Sequence, residues 1–257
     1  MPLTTKALGR TDVGRIRRRN EDAFEVDGER GIAIVADGMG GHPAGNVASA
    51  LAAEEAVRRL RELSDRLASG EVSAGELGDV MAEAVRGADE RVRQEGKDHP
   101  EREGMGTTLT AILVERASSR AVIGHVGDSR AYRLRDGSLE RLTKDHTWVQ
   151  EQVDAGRLTP QQARGHPYSS ILTQGVGLER PAEPDVREVE ASPGDLFMVC
   201  SDGLVGMLTD GRIQTILSDE LPRGGLEGAA EALVEAANRE GGLDNVTVAL
   251  LEVGRDG

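Results

Sequence analysis

Apolar residues in this chain fall into short unbroken blocks rather than an even alternation. Val, Ile and Leu fill GIAIVAD (Gly31–Asp37), AVIGHV (Ala121–Val126), LFMVC (Leu196–Cys200) and VTVALLEV (Val246–Val253), each bounded by Gly, Asp or Ser. Blocks of this length between turn residues read as strands buried on both faces. Further strands are predicted at Lys6–Asp12, Ala23–Val26, Thr107–Val114 and Val186–Glu190. Ala131–Arg135 and Leu139–Leu142 form a hairpin across Asp136-Gly137, a dipeptide suited to a tight turn.

Elsewhere the spacing becomes three and four. It predicts helices from Asn46 to about Leu67, from roughly Glu76 to Gln94, and over Asp210–Ser218 and Leu226–Glu240. Ser69–Gly78 and the charged stretch EGKDHPEREGMG read as loops. His146–Gly177 reads as short helices on an excursion. The order of strands, two helices, many strands, helices and a last strand is not a βαβ alternation. It suits an α+β layered fold of antiparallel sheets with helix pairs outside. No repeat or Pro/Ser-rich linker divides the chain, so the reading is a single domain over residues 1–257, with its core about 6–253.

Composition sharpens this picture. Hydrophobic residues make up 38% but aromatics only 2%, so aliphatic side chains must fill the core. The net charge of −14 disfavours nucleic acid as a partner. No apolar run reaches the ~20 residues of a membrane span, and no stretch has a signal-peptide layout. A cytoplasmic protein, monomeric and with no membrane insertion, is the default expectation. The one cysteine, Cys200, lies inside an apolar block and reads as a small buried hydrophobe.

Candidate chemistry sits at the ends of the blocks. Asp37, Asp128, Asp202 and Asp244 each flank one, and three of them precede Gly or Ser. Carboxylates that converge there cannot all stay ionised without cations. Hard divalent ions with oxygen ligands, Mg²⁺ or Mn²⁺, are the remedy, and such sites hydrolyse phosphate esters. The competitors fail. A dinucleotide fingerprint in DGMGGH would need glycine where Pro43 stands, and the only Gly-Lys pair, Gly96-Lys97, is followed by Asp98. The basic run before Glu21 and Asp22 reads either as a solvated loop or as an arginine placed to grip phosphate.

Seven motifs then occur in order: RxxNED (Arg17–Asp22), DGMGGH (Asp37–His42), MGTTL (Met105–Leu109), GDSRAY (Gly127–Tyr132), LTKDH (Leu142–His146), SDGL (Ser201–Leu204) and DNVT (Asp244–Thr247). The series resembles the metal-dependent Ser/Thr protein phosphatase family, type 2C, in its bacterial single-domain branch. The resemblance implies a four-layer αββα sandwich, two antiparallel β-sheets flanked by helix pairs. It implies two or three Mn²⁺ or Mg²⁺ ions, with Asp37 bridging two of them and the Gly38 carbonyl completing a site. Asp202 and Asp244 would bind the first ion. Glu21 and Asp22 would act mainly through water, and Asp128 with Asp202 would hold a third ion. Asn245 would support this set from just outside it.

Arg17 matches the phosphate-binding arginine; its neighbours Arg15, Arg18 and Arg19 read as solvated or as a greeting for acidic phosphopeptides. A water shared by the ions would attack phosphorus directly. Covalent routes lack their motifs: D-x-D-x-[TV] is absent, and C-x5-R fails because position 206 is glycine. Where eukaryotic members carry a histidine directly after DG, this chain has Met39. The later His42 either protonates the leaving oxygen or only shapes the loop. A flap is expected over about 146–167, with Trp148 as its anchor. His99, His125, His146 and His166 read as structural or solvated. Partners implied are phosphorylated proteins, Ser/Thr kinases and their targets. The alternatives are a non-catalytic binding module, which would be expected to have lost metal aspartates, and a phosphatase for an anti-sigma-factor antagonist.

Overall fold

The computed structural model describes residues 3–39 and 44–255. Its strands are β1 (Leu3–Asp12), β2 (Asp22–Asp27), β3 (Ile32–Asp37), β4 (Leu109–Glu115), β5 (Arg120–Val126), β6 (Arg130–Arg135), β7 (Ser138–Arg141), β8 (Asp185–Glu190), β9 (Leu196–Cys200) and β10 (Val246–Arg255). Its helices are α1 (Gly45–Ala68), α2 (Leu77–Asp98), α3 (Trp148–Asp154), α4 (Pro160–Ala163), α5 (Asp202–Met207) and α6 (Asp210–Arg239). The strands form two five-stranded sheets, in the orders β1-β10-β9-β6-β7 and β2-β3-β4-β5-β8. Every pairing is antiparallel.

The apolar blocks are continuous because each inner strand has two covered faces. In β3, Ile32, Ile34 and Ala36 meet α1 and α2, while Ala33 and Val35 face the other sheet. In β9, Leu196, Met198 and Cys200 pack under α5 and α6, while Phe197 and Val199 point inward. The same split holds in β10, with Val246, Val248 and Leu250 on one face and Ala249, Leu251 and Val253 on the other. The result is the expected helix–sheet–sheet–helix sandwich. Cys200 is fully buried in it. Among the described residues no helix is long and apolar enough to cross a membrane.

The differences from the sequence reading lie at element ends. β1 starts three residues earlier than Lys6 and β10 ends two later than Val253, because the two strands pair along their whole length from Leu3↔Arg255 to Asp12↔Val246. Thr107 and Thr108 leave β4, and Thr107 instead bridges Gly38 and Val176. The α5 turn was not expected. Within α6, Gly225 takes φ 62°, a backbone state glycine tolerates, and it separates the two predicted helical segments. The excursion expected at 146–167 closes farther along, at the bridge Thr147↔Leu172. Within it Trp148 packs on two other rings of the same excursion, with centroids 5.4 Å from His166 and 5.5 Å from Tyr168.

Candidate active site

The site forms where both sheets end on the same side of the sandwich. β2 and β3 are in register so that Asp22 pairs with Asp37. The Gly127–Ser129 turn carries the chain from β5 in one sheet to β6 in the other and places Asp128 at the crossing. Its tightness requires Gly127, with φ 110° and Thr108 so near that a Cβ would lie 2.6 Å from it. Asp202 opens α5 two residues after the end of β9, and Asp244 lies two residues before the start of β10.

Hydroxyls of the MGTTL segment hold Asp37 by its backbone. Asp37 N–H donates to Thr108 Oγ1 at 3.0 Å. Its carbonyl accepts from Thr107 Oγ1 at 2.8 Å and from Thr108 N–H at 2.9 Å. Next to it, Gly38 has no room for a side chain: a Cβ there would sit 2.4 Å from Gly45 O and 2.5 Å from Glu21 O. Asn245 ties the two loops that flank the site. Its Oδ1 accepts from Glu21 N–H at 2.9 Å, and its Nδ2 donates to Val13 O at 3.0 Å and Arg19 O at 2.9 Å.

These elements enclose a cavity of about 440 Å³. Asp37, Asp128, Asp202 and Asp244 line it with Gly38; Glu21, Arg17 and Asn245 complete one wall, and Ser170 and Leu172 of the excursion the other. Asp22 is not on the wall. It lies behind Asp37, where its Oδ2 accepts from Thr247 Oγ1 at 2.6 Å and Ser201 Oγ at 2.8 Å. Arg17 Nη2 donates to Asp244 Oδ2 at 2.7 Å, so its guanidinium is engaged with a carboxylate. His42 lies outside the described residues. His125 is buried against Thr110 Oγ1 at 2.8 Å, a structural position, and burial holds its pKa down at about 4.

The carboxylates press on one another. Burial, then the charges of Asp22, Asp202 and Asp128, pushes the Asp37 carboxyl well above its ordinary range. Burial raises Asp22 to about 7, with Asp202 adding to it. Burial and then Asp202 raise Asp128; burial and then Asp244 raise Asp202.

Several features fit a hard cation. Carboxylate and carbonyl oxygens dominate the candidate donors, and among the described residues no histidine or cysteine lines the cavity. Asp22 Oδ1 is buried without a hydrogen-bond partner, an arrangement that costs free energy until something fills it. Among the described residues no three acidic, imidazole or thiol groups stand in a ready-made ligand cluster. Burial and mutual charge raise the carboxyls of Asp37, Asp128 and Asp202, a penalty that a bound cation would relieve.

Sequence reasoning missed the supporting hydroxyls of Thr108, Ser201 and Thr247; His146, read as structural or solvated, accepts from Gly127 N–H through Nδ1 at 3.2 Å. A signal was present: each hydroxyl sits within three residues of a motif acid or glycine at a strand end.

The chain is 41% identical over 252 residues to serine/threonine protein phosphatase PstP of Mycobacterium tuberculosis, covering 98% of this chain and 45% of that protein. It thus spans less than half the length of that relative. Protein phosphatase PhpP of Streptococcus pneumoniae is 35% identical over 250 residues, with 96% of each chain covered. A crystal structure of the catalytic domain of PstP in complex with two manganese ions superposes with a TM-score of 0.82 at 38% identity, covering 98% of this chain and all of that one. Residues 15–237 match the family described as Protein phosphatase 2C. With fold, motif order and relatives in agreement, the chain belongs to the protein phosphatase 2C family.

Proposed function

We propose that this chain is a metal-dependent phosphatase that hydrolyses phosphoserine and phosphothreonine in proteins. In this reading it is one catalytic domain, monomeric and cytoplasmic, and it opposes Ser/Thr kinases. The observation that carries the proposal is the cavity that gathers the carboxylates of Asp37, Asp128, Asp202 and Asp244 beside an arginine, where burial and mutual charge raise the carboxyls of Asp37, Asp128 and Asp202.

The residues have separate tasks. Asp37 and the Gly38 carbonyl would hold one ion, Asp202 and Asp244 with Asp37 another, and Asp128 with Asp202 a third. Mn²⁺ or Mg²⁺ bound there would supply the charge that activates water and offsets the phosphate oxygens; the two manganese ions of the PstP domain favour Mn²⁺. Asp22, held by Thr247 and Ser201, would act with Glu21 through water on the bound ions. Arg17 orients the phosphate through two N–H groups, which requires its guanidinium to share or leave Asp244. Asn245 keeps Glu21 and the arginine loop at the rim. The leaving oxygen takes its proton from His42 or from solvent.

The test is turnover of p-nitrophenyl phosphate and a phosphothreonine peptide with Mn²⁺, with Mg²⁺ and with chelator. Metal-dependent turnover of both supports the reading; no turnover with either metal overturns it. A His42→Ala variant that keeps full rate assigns the proton to solvent.

A further inference from the structure

Arg15, Ile16, Arg17, Arg18 and Arg19 follow one another in the connection between β1 and β2, and all are exposed. The proposed chemistry uses only Arg17. Of the four arginines, Arg17 alone has an ion-pair partner among the described residues. Positive charge is therefore left unbalanced along the connection that carries Arg17 to the cavity, in a chain whose net charge is −14.

The connection is pinned. Gly14 N–H donates to Asp12 Oδ1 at 2.8 Å, and Asn238 Nδ2 donates to the same oxygen at 3.0 Å. Arg15 N–H donates to Gly242 O at 2.7 Å, and Asn245 holds Val13 and Arg19 by their carbonyls. Such a rim binds with little ordering cost. Ile16 and Leu243 each follow one member of the Arg15–Gly242 bond along the chain. These two, 65% and 57% exposed, are the most exposed large apolar side chains among the described residues. Leu243 further borders a groove that continues from Asp128 and Asp202 beneath α3 and α4. Apolar side chains standing out of a pinned loop, beside unpaired guanidinium groups, mark a recognition surface.

We infer that this rim selects the substrate: it favours phosphorylated segments with an anionic side chain near the phosphoresidue and an apolar one that covers Ile16 and Leu243. The inference rests on the phosphatase reading of the cavity. An extended peptide advances about 3.3–3.6 Å per residue, so the residues next to a phosphoryl group on Arg17 fall within reach of Arg15, Arg18 and Arg19. A short peptide meets only the rim, whereas a broad polyanion such as a lipid surface would also meet the acidic remainder.

The experiment compares kcat/KM for phosphothreonine peptides with Asp, Glu, phosphoserine, Ala or Lys flanks, beside p-nitrophenyl phosphate, all with Mn²⁺. Acidic flanks should exceed Lys flanks by about tenfold at low salt, the sum of three surface ion pairs. The ratio should fall toward unity near 1 M salt, where screening acts within about 3 Å. The variant R15E/R18E/R19E should reverse the order. Asp against phosphoserine flanks shows which anion the rim prefers, and any excess over Lys from either supports the inference. In wild type, Ile16→Ser should lower the advantage of a Leu neighbour over Gly. Equal kcat/KM for all peptides, with p-nitrophenyl phosphate turned over, overturns this inference and leaves the phosphatase reading standing. Loss of p-nitrophenyl phosphate turnover as well removes both. Sedimentation with phosphatidylserine vesicles at physiological salt, without peptide discrimination, assigns the arginines to a membrane and also overturns it.

Discussion

Single residues at this site act through charge and hydroxyl contacts. Asp37 stands among other acids, being pushed up by burial and by Asp22, Asp202 and Asp128. Asp37→Asn keeps the shape and removes the charge, so it should lower kcat/KM by about a thousandfold or more if electrostatic stabilisation is its task. Steady-state kinetics at saturating Mn²⁺ checks this, and near-normal turnover contradicts the two-ion assignment. Thr247→Val removes the hydroxyl that holds Asp22 Oδ2 at 2.6 Å with little change of shape. Loss of an outer partner of this kind typically weakens metal affinity 10–100-fold, about the drop expected by titration calorimetry while the circular dichroism spectrum stays unchanged.

At the scale of elements, the short helix α5 decides where Asp202 stands. Its start is pressed onto the Asp244–Asn245 turn: a Cβ at Gly203 would lie 1.9 Å from Asn245 O. Gly203→Ala must therefore part the two segments that present Asp202 and Asp244. The expected outcome is reduced Mn²⁺ affinity and reduced turnover together, with KM for p-nitrophenyl phosphate raised; retained affinity would show that the turn relaxes without moving the acids. Helix α5 was illegible in the sequence because six residues carry too little periodicity. The break at Gly225 was legible, since apolar spacing stops on one side of it and resumes on the other.

For the whole molecule, the acids couple folding to pH. A carboxyl whose pKa is raised in the folded state binds its proton more tightly there than in the unfolded chain. The penalty for ionising it is absent below the unfolded value of 3.8 and complete above the folded one, about 7 for Asp22. Protein in chelator should therefore lose stability as pH rises from about 4 to 8, by an amount on the order of a few kcal/mol. Mn²⁺ should restore it and release protons at neutral pH. Thermal melts at several pH values with and without Mn²⁺, and calorimetry in two buffers of different ionisation enthalpy, measure both effects. Stability in chelator that rises over this interval would contradict the raised carboxyl pKa values.

The chain alone specified its two-sided buried strands, because the apolar blocks at Gly31–Asp37 and Leu196–Cys200 are local patterns that read the same in any context. It also placed Asp37, Gly38, Asp128, Asp202 and Asp244 at block ends and ordered the motifs. Contacts between distant segments decided the rest. The pairing of β1 with β10 sets the ends of both strands, and the meeting of β9 and β10 with β2 and β3 puts Asp22 behind Asp37 rather than on the wall. The bond from Arg17 to Asp244 spans 227 positions, and so does not show in the spacing of either motif. Convergence of charge is a property of how sheets stack, and only the stacked sheets could show which acids crowd one another and which hydroxyls hold them.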